Sequence, residues 1–274
     1  MLPYLYVFGR AVPMYGVMVI LGAAASLLYV KLCEKKRNFP EADTELALVY
    51  CVIGIFIGAK LLWLATIWPE FLQELPYLFT MPQVFLQKYL SGGFVFYGGM
   101  FGAVLSAWLY CRINRLPFWE LTRSLMPVAP LFHAFGRLGC FCMGCCYGCE
   151  SEIFGIVYNC SEIAPNGVSL VPVQLIEAFG EFLLFFLLAS LVRKRGSGKM
   201  VFSVWMLSYG VLRFVLEFFR ADDYRGFLGS LSLSQTISLI AVAWALLLLL
   251  PNRKRKISYY FLIKQPIKRG AHML

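Results

Sequence analysis

Charge is scarce in this chain. Only 15% of its 274 residues are Asp, Glu, Lys or Arg, against roughly a quarter in soluble domains. With 60% apolar residues, the deficit excludes an ordinary soluble protein and predicts an all-α polytopic membrane protein. Internal repeats and low-complexity blocks are also absent, so residues 1–250 read as one transmembrane domain followed by a basic tail over 251–274. The opening MLPYLYVFGRAVPMYG lacks a basic stretch followed by a small-residue cleavage site, so the first span is expected to serve as its own insertion signal. Acidic residues are few, leaving a formal charge of +10. That excess could suggest nucleic acid. Most of the basic residues, however, fall in short segments between apolar runs, where they set membrane orientation, and no nucleic-acid partner is expected.

Apolar runs long enough to cross about 30 Å of hydrocarbon occur at roughly 14–32, 46–68, 97–111, 121–139, 174–192, 200–219 and 233–250, predicting about seven helices. Lys31, Lys35, Lys36 and Arg37 follow the first run, Arg112, Arg115 and Arg123 the third, Arg193, Lys194, Arg195 and Lys199 the fifth, and RKRK at 253–256 the seventh. The opposite side carries only Arg10, Lys88, Arg220 and Arg225. The excess of cations on one side predicts an outside N-terminus, a cytoplasmic C-terminus and an outward-facing segment 140–173. The tail, with SYYFLIKQ, reads as an interfacial segment.

Inside the apolar runs the cations are Lys60, Arg137 and Arg213, and the matching carboxylates are Glu177 and Glu217, with Glu181 a turn beyond Glu177. Arg213 and Glu217 are spaced i, i+4 and share a helix face with Tyr209, with Arg220 one turn further out. A buried guanidinium is costly in a membrane, about 2.5–3.5 kcal/mol at its centre, so it needs a partner or a purpose. Ion pairs acting as structural glue are one reading. Two arginines towards the outward ends of different helices favour the other, a phosphate diester held bidentately. His133 stands i, i+4 before Arg137, facing the same side. It is either a packing residue or a proton acceptor near neutral pH.

Five cysteines crowd into Cys140, Cys142, Cys145, Cys146 and Cys149, with Cys160 further on. Zinc sites usually show two separated pairs and this is one compact run. Disulfides in an oxidising exterior, C-x-x-C redox chemistry and metal binding all remain open for it; no metal ligand is assigned.

Several stretches resemble the bacterial prolipoprotein diacylglyceryl transferase family. VPMYGVM at 12–18, with Tyr15, is similar to its first-helix element, and SGGFVFYGGMFGA at 91–103, with Gly98 and Gly99, to its Gly-Gly segment. GRLGCFCMGCCYG at 136–148 is similar to its signature G-R-x-G-N-F-x-N-x-E-x-x-G, VPVQLIE at 171–177 to H-P-x-Q-L-Y-E, and YGVLRFVLEFFR at 209–220 to Y-G-x-x-R-F-x-x-E-F-x-R; LSLSQTIS at 231–238 also fits. The departures are Tyr97 in place of the family histidine, Cys140 and Met143 in place of its asparagines, Cys145 in place of its glutamate and Lys60 where arginine is usual.

The resemblance implies a seven-span enzyme of the bacterial plasma (inner) membrane that needs no cofactor. It implies attack by the lipobox cysteine thiol of a prolipoprotein signal peptide on the diacylglyceryl carbon of phosphatidylglycerol, releasing glycerol phosphate, among membrane lipids. Arg137 and Arg213 would hold the phosphate, and Tyr97 or His133 would handle the proton. Tyr15, Gly98, Gly99, Gln174, Glu177, Tyr209, Glu217 and Arg220 would bind substrate. A relative using another acceptor, or a thiol–disulfide or metal-binding membrane protein built on residues 140–149, are the alternatives.

Overall fold

In a computed structural model, residues 3–34, 41–91, 93, 95–221 and 227–250 are described, and the basic tail lies outside them. A hairpin, β1 (Tyr4–Val7) and β2 (Arg10–Pro13), leads into α1 (Met14–Glu34) and α2 (Glu41–Thr66). Three short helices follow, α3 (Trp68–Glu74), α4 (Tyr77–Thr80) and α5 (Pro82–Ser91). Next come α6 (Phe96–Ile113), α7 (Phe118–Leu125), α8 (Val128–Met143) and a loop holding β3 (Ile156–Val157) and β4 (Ser169–Leu170). The chain continues with α9 (Val173–Arg193), α10 (Gly198–Leu216) ending in a 3-10 turn over Glu217–Phe219, the hairpin β5 (Phe227–Leu228) and β6 (Leu231–Ser232), and α11 (Leu233–Leu249).

The seven apolar runs all fall on helices, yet among the described residues five stretches are both long and apolar enough to span a membrane: Met14–Cys33, Asp43–Thr66, Phe118–Met143, Val173–Arg193 and Gly198–Phe219. Leu233–Leu249 is shorter, at 17 residues. The run at 121–139 straddles two helices, because the ring of Pro127 cannot donate into the ladder and α7 hands over to α8 there. Among the described residues, three two-stranded antiparallel sheets are additions to the expected all-α fold. They are short and lie outside the apolar runs, where no periodicity announces them.

Local signals fix the helix ends that matter for the site. Ser232 and Gln235 form a reciprocal capping box, with the Gln235 N–H donating to Ser232 Oγ at 3.1 Å and the Ser232 N–H to Gln235 Oε1 at 3.0 Å. Gly144 closes α8 in the left-handed region, φ 76°, where glycine is the unstrained choice. The hairpin β1–β2 is tied to the loop after α8 by Tyr4 Oη donating to Glu162 Oε2 at 3.1 Å. Gly148 pairs with Arg220, and a methyl group at Gly148 would press on the carbonyls of Val171 and Phe219 at 2.6 and 2.7 Å. The N-terminal hairpin, the cysteine loop and the segment after α10 therefore meet at one end of the bundle.

The helices α2 and α6 cross through two small-xxx-small pairs, Gly54 with Gly58 and Gly98 with Gly102. A Cβ at Gly102 would overlap the Gly54 carbonyl, and one at Gly98 the Gly58 carbonyl. Backbones packed this closely leave no room for side chains. We expect Gly102→Ala to lower the thermal midpoint of the detergent-solubilised protein by forcing α2 and α6 apart, at about 1–3 kcal/mol. Gly136→Ala, with open space around its Cβ, should leave the midpoint unchanged or raise it. Equal midpoints for the two variants would refute the close crossing.

Candidate active site

The expected arginines come together around one carboxylate. Helices α8 and α9 run antiparallel, so residues four apart on one face opposite residues four apart on the other. Arg137 Nε lies 2.8 Å from Glu177 Oε2, and one turn deeper His133 Nδ1 lies 2.6 Å from Glu181 Oε1. From α10, Arg213 Nη1 approaches the same Glu177 oxygen at 3.6 Å, while its Nη2 meets Glu217 Oε2 at 2.8 Å and donates to Ser234 Oγ at 3.4 Å. Arg137, Arg213, Glu177, Glu181 and Glu217 are all buried. An opposite charge and hydrogen bonds are what make such burial tolerable, since a lone ion there would cost several kcal/mol.

The two arginines are not equivalently engaged. Both terminal nitrogens of Arg213 have protein partners; Arg137 meets Glu177 through Nε and hydrogen-bonds the Cys146 thiol, and its Nη2 is buried with no hydrogen-bond partner among the described residues. Arg137 thus keeps donor capacity for an anion from elsewhere.

The other expected residues are distributed as follows. Tyr209 stacks edge-on to His133 at 5.5 Å between ring centroids and lies flat on Trp205 at 5.9 Å. Tyr97 hydrogen-bonds Ser234, the hydroxyl that also faces Arg213, and lines a small apolar pocket with Tyr209 and Gly210. Gln174 is fully buried; its Nε2 donates to the Cys145 carbonyl at 2.7 Å and its Oε1 accepts from Tyr158 Oη at 3.4 Å. Burial raises the Tyr158 phenol above its ordinary pKa, which keeps its proton available for Gln174. Tyr15 packs on Gly139, where a Cβ would sit 2.9 Å from its ring. Arg220 pairs by backbone with Gly148. Gly98 and Gly99 serve the α2 contact, with Gly98 against the Gly58 backbone and Gly99 against Ile55. Lys60 Nζ donates to the Leu90 carbonyl at 3.5 Å and lies over the Trp63 ring.

Sequence reasoning left Glu181 and Ser234 without roles. The signal for Glu181 was present: Glu177 and Glu181 repeat the i, i+4 spacing of His133 and Arg137, which matches two antiparallel neighbours rung for rung. Ser234 gives no such signal, since it reaches Arg213 only because the β5–β6 hairpin returns α11 alongside α10.

The disulfide-closed cysteine loop is not observed. All nine cysteines are free thiols. The loop is closed instead by main-chain bonds, Cys145 N–H to the Cys140 carbonyl at 3.1 Å and Cys149 N–H to the Phe219 carbonyl at 2.8 Å, together with Gln174. The thiols of Cys140, Cys145 and Cys146 converge within 4.8 Å of one another. Hydrogen bonds from the Cys140 and Cys145 thiols, then the charges of Arg137 and Arg220, hold the Cys146 thiol well below its ordinary pKa.

A multi-pass membrane protein with a buried two-arginine, two-glutamate centre next to a carboxylate–imidazole pair is the class that fold and site define. Comparison with known sequences places it further. A family profile for prolipoprotein diacylglyceryl transferase matches residues 3–251, and the chain belongs to that family. It is 33% identical over 258 residues to the phosphatidylglycerol–prolipoprotein diacylglyceryl transferase of Clostridium tetani, covering 93% of this chain and all of the relative. It is 34% identical over 245 residues to the second such transferase of Clostridium perfringens, covering 88% and 91%. With the transferase of Finegoldia magna it shares 27% identity over 252 residues, covering 91% and 94%.

Proposed function

We propose that this protein transfers the diacylglyceryl group of phosphatidylglycerol to the lipobox cysteine thiol of prolipoproteins in a bacterial plasma membrane. The observation that carries the reading is the buried Arg137–Glu177–Arg213 centre, in which Arg137 keeps an uncommitted guanidinium nitrogen. The acceptor sulfur attacks the diacylglycerol carbon bonded to the phosphate oxygen. That C–O bond breaks, its electron pair stays on the phosphate, and glycerol phosphate leaves. Negative charge therefore grows on the phosphate during reaction, and fixed guanidinium donors stabilise it more in the transition state than in the ground state. Glu177, anchored to both arginines, keeps the guanidinium planes from collapsing away from the ligand. The His133–Glu181 pair is the group best placed to handle a proton, because the carboxylate 2.6 Å from Nδ1 fixes the imidazole's orientation.

The substrate's acyl chains need an apolar path from the bilayer. A groove of about 800 Å³ opens between α2, α6 and the α7–α10–α11 side, lined by Gly58, Leu62, Gly102, Trp108, Trp119 and Trp244 among others. We assign the acyl chains to it. The assay is transfer of labelled diacylglycerol from phosphatidylglycerol to a lipobox peptide by the purified protein. Absence of transfer by folded, reduced protein would overturn the reading.

The same proposal counts seven membrane crossings over residues 1–250, adding α6 and α11 to the five longer stretches, and an outside N-terminus with an inside tail. The positive-inside asymmetry supports it. A membrane-impermeant thiol reagent applied to intact cells should therefore label the exposed Cys160 and spare a cysteine introduced into the tail. The reverse pattern would invert the topology.

A further inference from the structure

We propose that Cys140, Cys145 and Cys146 form an open three-thiolate site for a thiophilic divalent cation of the zinc class, whose remaining coordination position takes the acceptor thiol. The inference rests on the transferase reading for the identity of that acceptor, and on geometry for the site itself. The three sulfurs lie within 4.8 Å of one another. Tetrahedral zinc with Zn–S bonds near 2.3 Å places its sulfurs about 3.8 Å apart, so closing the site requires movements of about an ångström or less.

The backbone is built for this convergence. Gly144 leaves the helix at φ 76° and Cys146, a non-glycine residue, sits in the left-handed region at φ 59°. A side chain with a Cβ takes up that conformation only when its surroundings enforce it. The result is that the loop doubles back and sets two thiols against Cys140 on the last turn of α8. Gln174 pins the carbonyl of Cys145 at 2.7 Å. The other cysteines of the run, Cys142 and Cys149, are not in the cluster, so the convergence is selective.

Three sulfurs also fit a metal better than a disulfide, which would join two and strand the third. Three thiolates around a dication leave one net negative charge, and the Arg137 guanidinium stands beside Cys146 to balance it. Three protein ligands with one open position is the pattern of catalytic zinc sites. Metal binding deprotonates a coordinating thiol. The acceptor S–H bond breaks on coordination and its proton is taken up by the His133–Glu181 pair. The metal-held sulfur then attacks the diacylglyceryl carbon, and the electron pair of the broken C–O bond departs with glycerol phosphate. No electron is gained or lost by the metal. This supplies a thiolate next to Arg137 in a chain that carries Tyr97 and Cys145 where its family resemblance leads one to expect histidine and glutamate.

The test uses the full chain, purified in detergent under reducing conditions and titrated with cobalt(II) and zinc. One equivalent should bind, with a thiolate-to-cobalt absorption band, and X-ray absorption of the zinc form should count three sulfur ligands without recourse to any variant. Cys140→Ser, Cys145→Ser and Cys146→Ser should each weaken binding at least tenfold, while Cys142→Ser and Cys149→Ser bind as wild type. A lipobox peptide should shift the cobalt band, and its Cys→Ser analogue should not. A wild-type protein that shows no sulfur coordination, or clustered-cysteine variants that bind as tightly as wild type, would overturn the site. An unshifted band would overturn its role towards the acceptor. Diacylglyceryl transfer by protein that binds no metal would sink this inference and leave the transferase reading standing. Metal binding without transfer would do the opposite.

Discussion

Arg137→Lys is expected to lower diacylglyceryl transfer by about two to three orders of magnitude, the scale of losing one charge-stabilising donor in a water-excluded site, with the protein still inserted and folded. Lysine keeps the charge but loses the planar fork that can hold Glu177 through Nε and offer Nη2 to a phosphate at the same time. A single ammonium has to choose. Arg213→Lys should cost less in turnover, because both of its terminal nitrogens already serve Glu177, Glu217 and Ser234; its losses should show largely in stability. Initial rates on labelled phosphatidylglycerol, compared at saturating peptide, check both. A wild-type rate for Arg137→Lys would return the arginines to the structural reading, as ion-pair partners for the glutamates.

Glu177→Gln carries the largest expected effect on folding. Glu177 is 1% exposed and faces two guanidinium groups, so neutralising it leaves two buried cations with Glu217 as their remaining close carboxylate. Removing one partner of a buried pair costs about 3–5 kcal/mol, enough to consume much of a typical domain's stability. We expect little folded protein from Glu177→Gln and near-normal yields from Glu177→Gln combined with Arg137→Met, which removes a cation together with the anion. Size-exclusion profiles and thermal midpoints in detergent measure this. If the double variant were no better folded than the single one, the instability would stem from packing and not from unpaired charge.

The parts of this fold that sequence could announce are those governed by a single physical rule. Apolar runs have to be helices in lipid because every backbone group needs a partner, and all seven such runs are helical. Ionisable residues in those runs have to find each other, and the i, i+4 spacing of His133 with Arg137 and of Arg213 with Glu217 already put them on shared faces. What sequence could not give depends on the path of the connections. The rung between His133 and Glu181 needs α8 and α9 to be antiparallel neighbours in the right register. Ser234 reaches Arg213 only through the turn of a two-residue-strand hairpin. Spacing alone leaves disulfides, redox chemistry and metal binding open for the cysteine run; the left-handed backbone at Gly144 and Cys146, which decides which three thiols meet, is invisible until the loop is traced.

The glycine crossing of α2 and α6 has a further consequence. Gly58, Gly98 and Gly102 are at once points of close helix contact and part of the wall of the groove assigned to the acyl chains. A bulkier residue at any of them narrows the groove and wedges the helices apart in the same stroke. Access for a lipid tail and cohesion of the bundle are thus coupled at these positions, so a chain that adapted to bulkier or slimmer acyl groups would have to do so along the aromatic wall at the exposed Phe101 or Trp108, since Trp119 and Trp244 are themselves packed on Phe202.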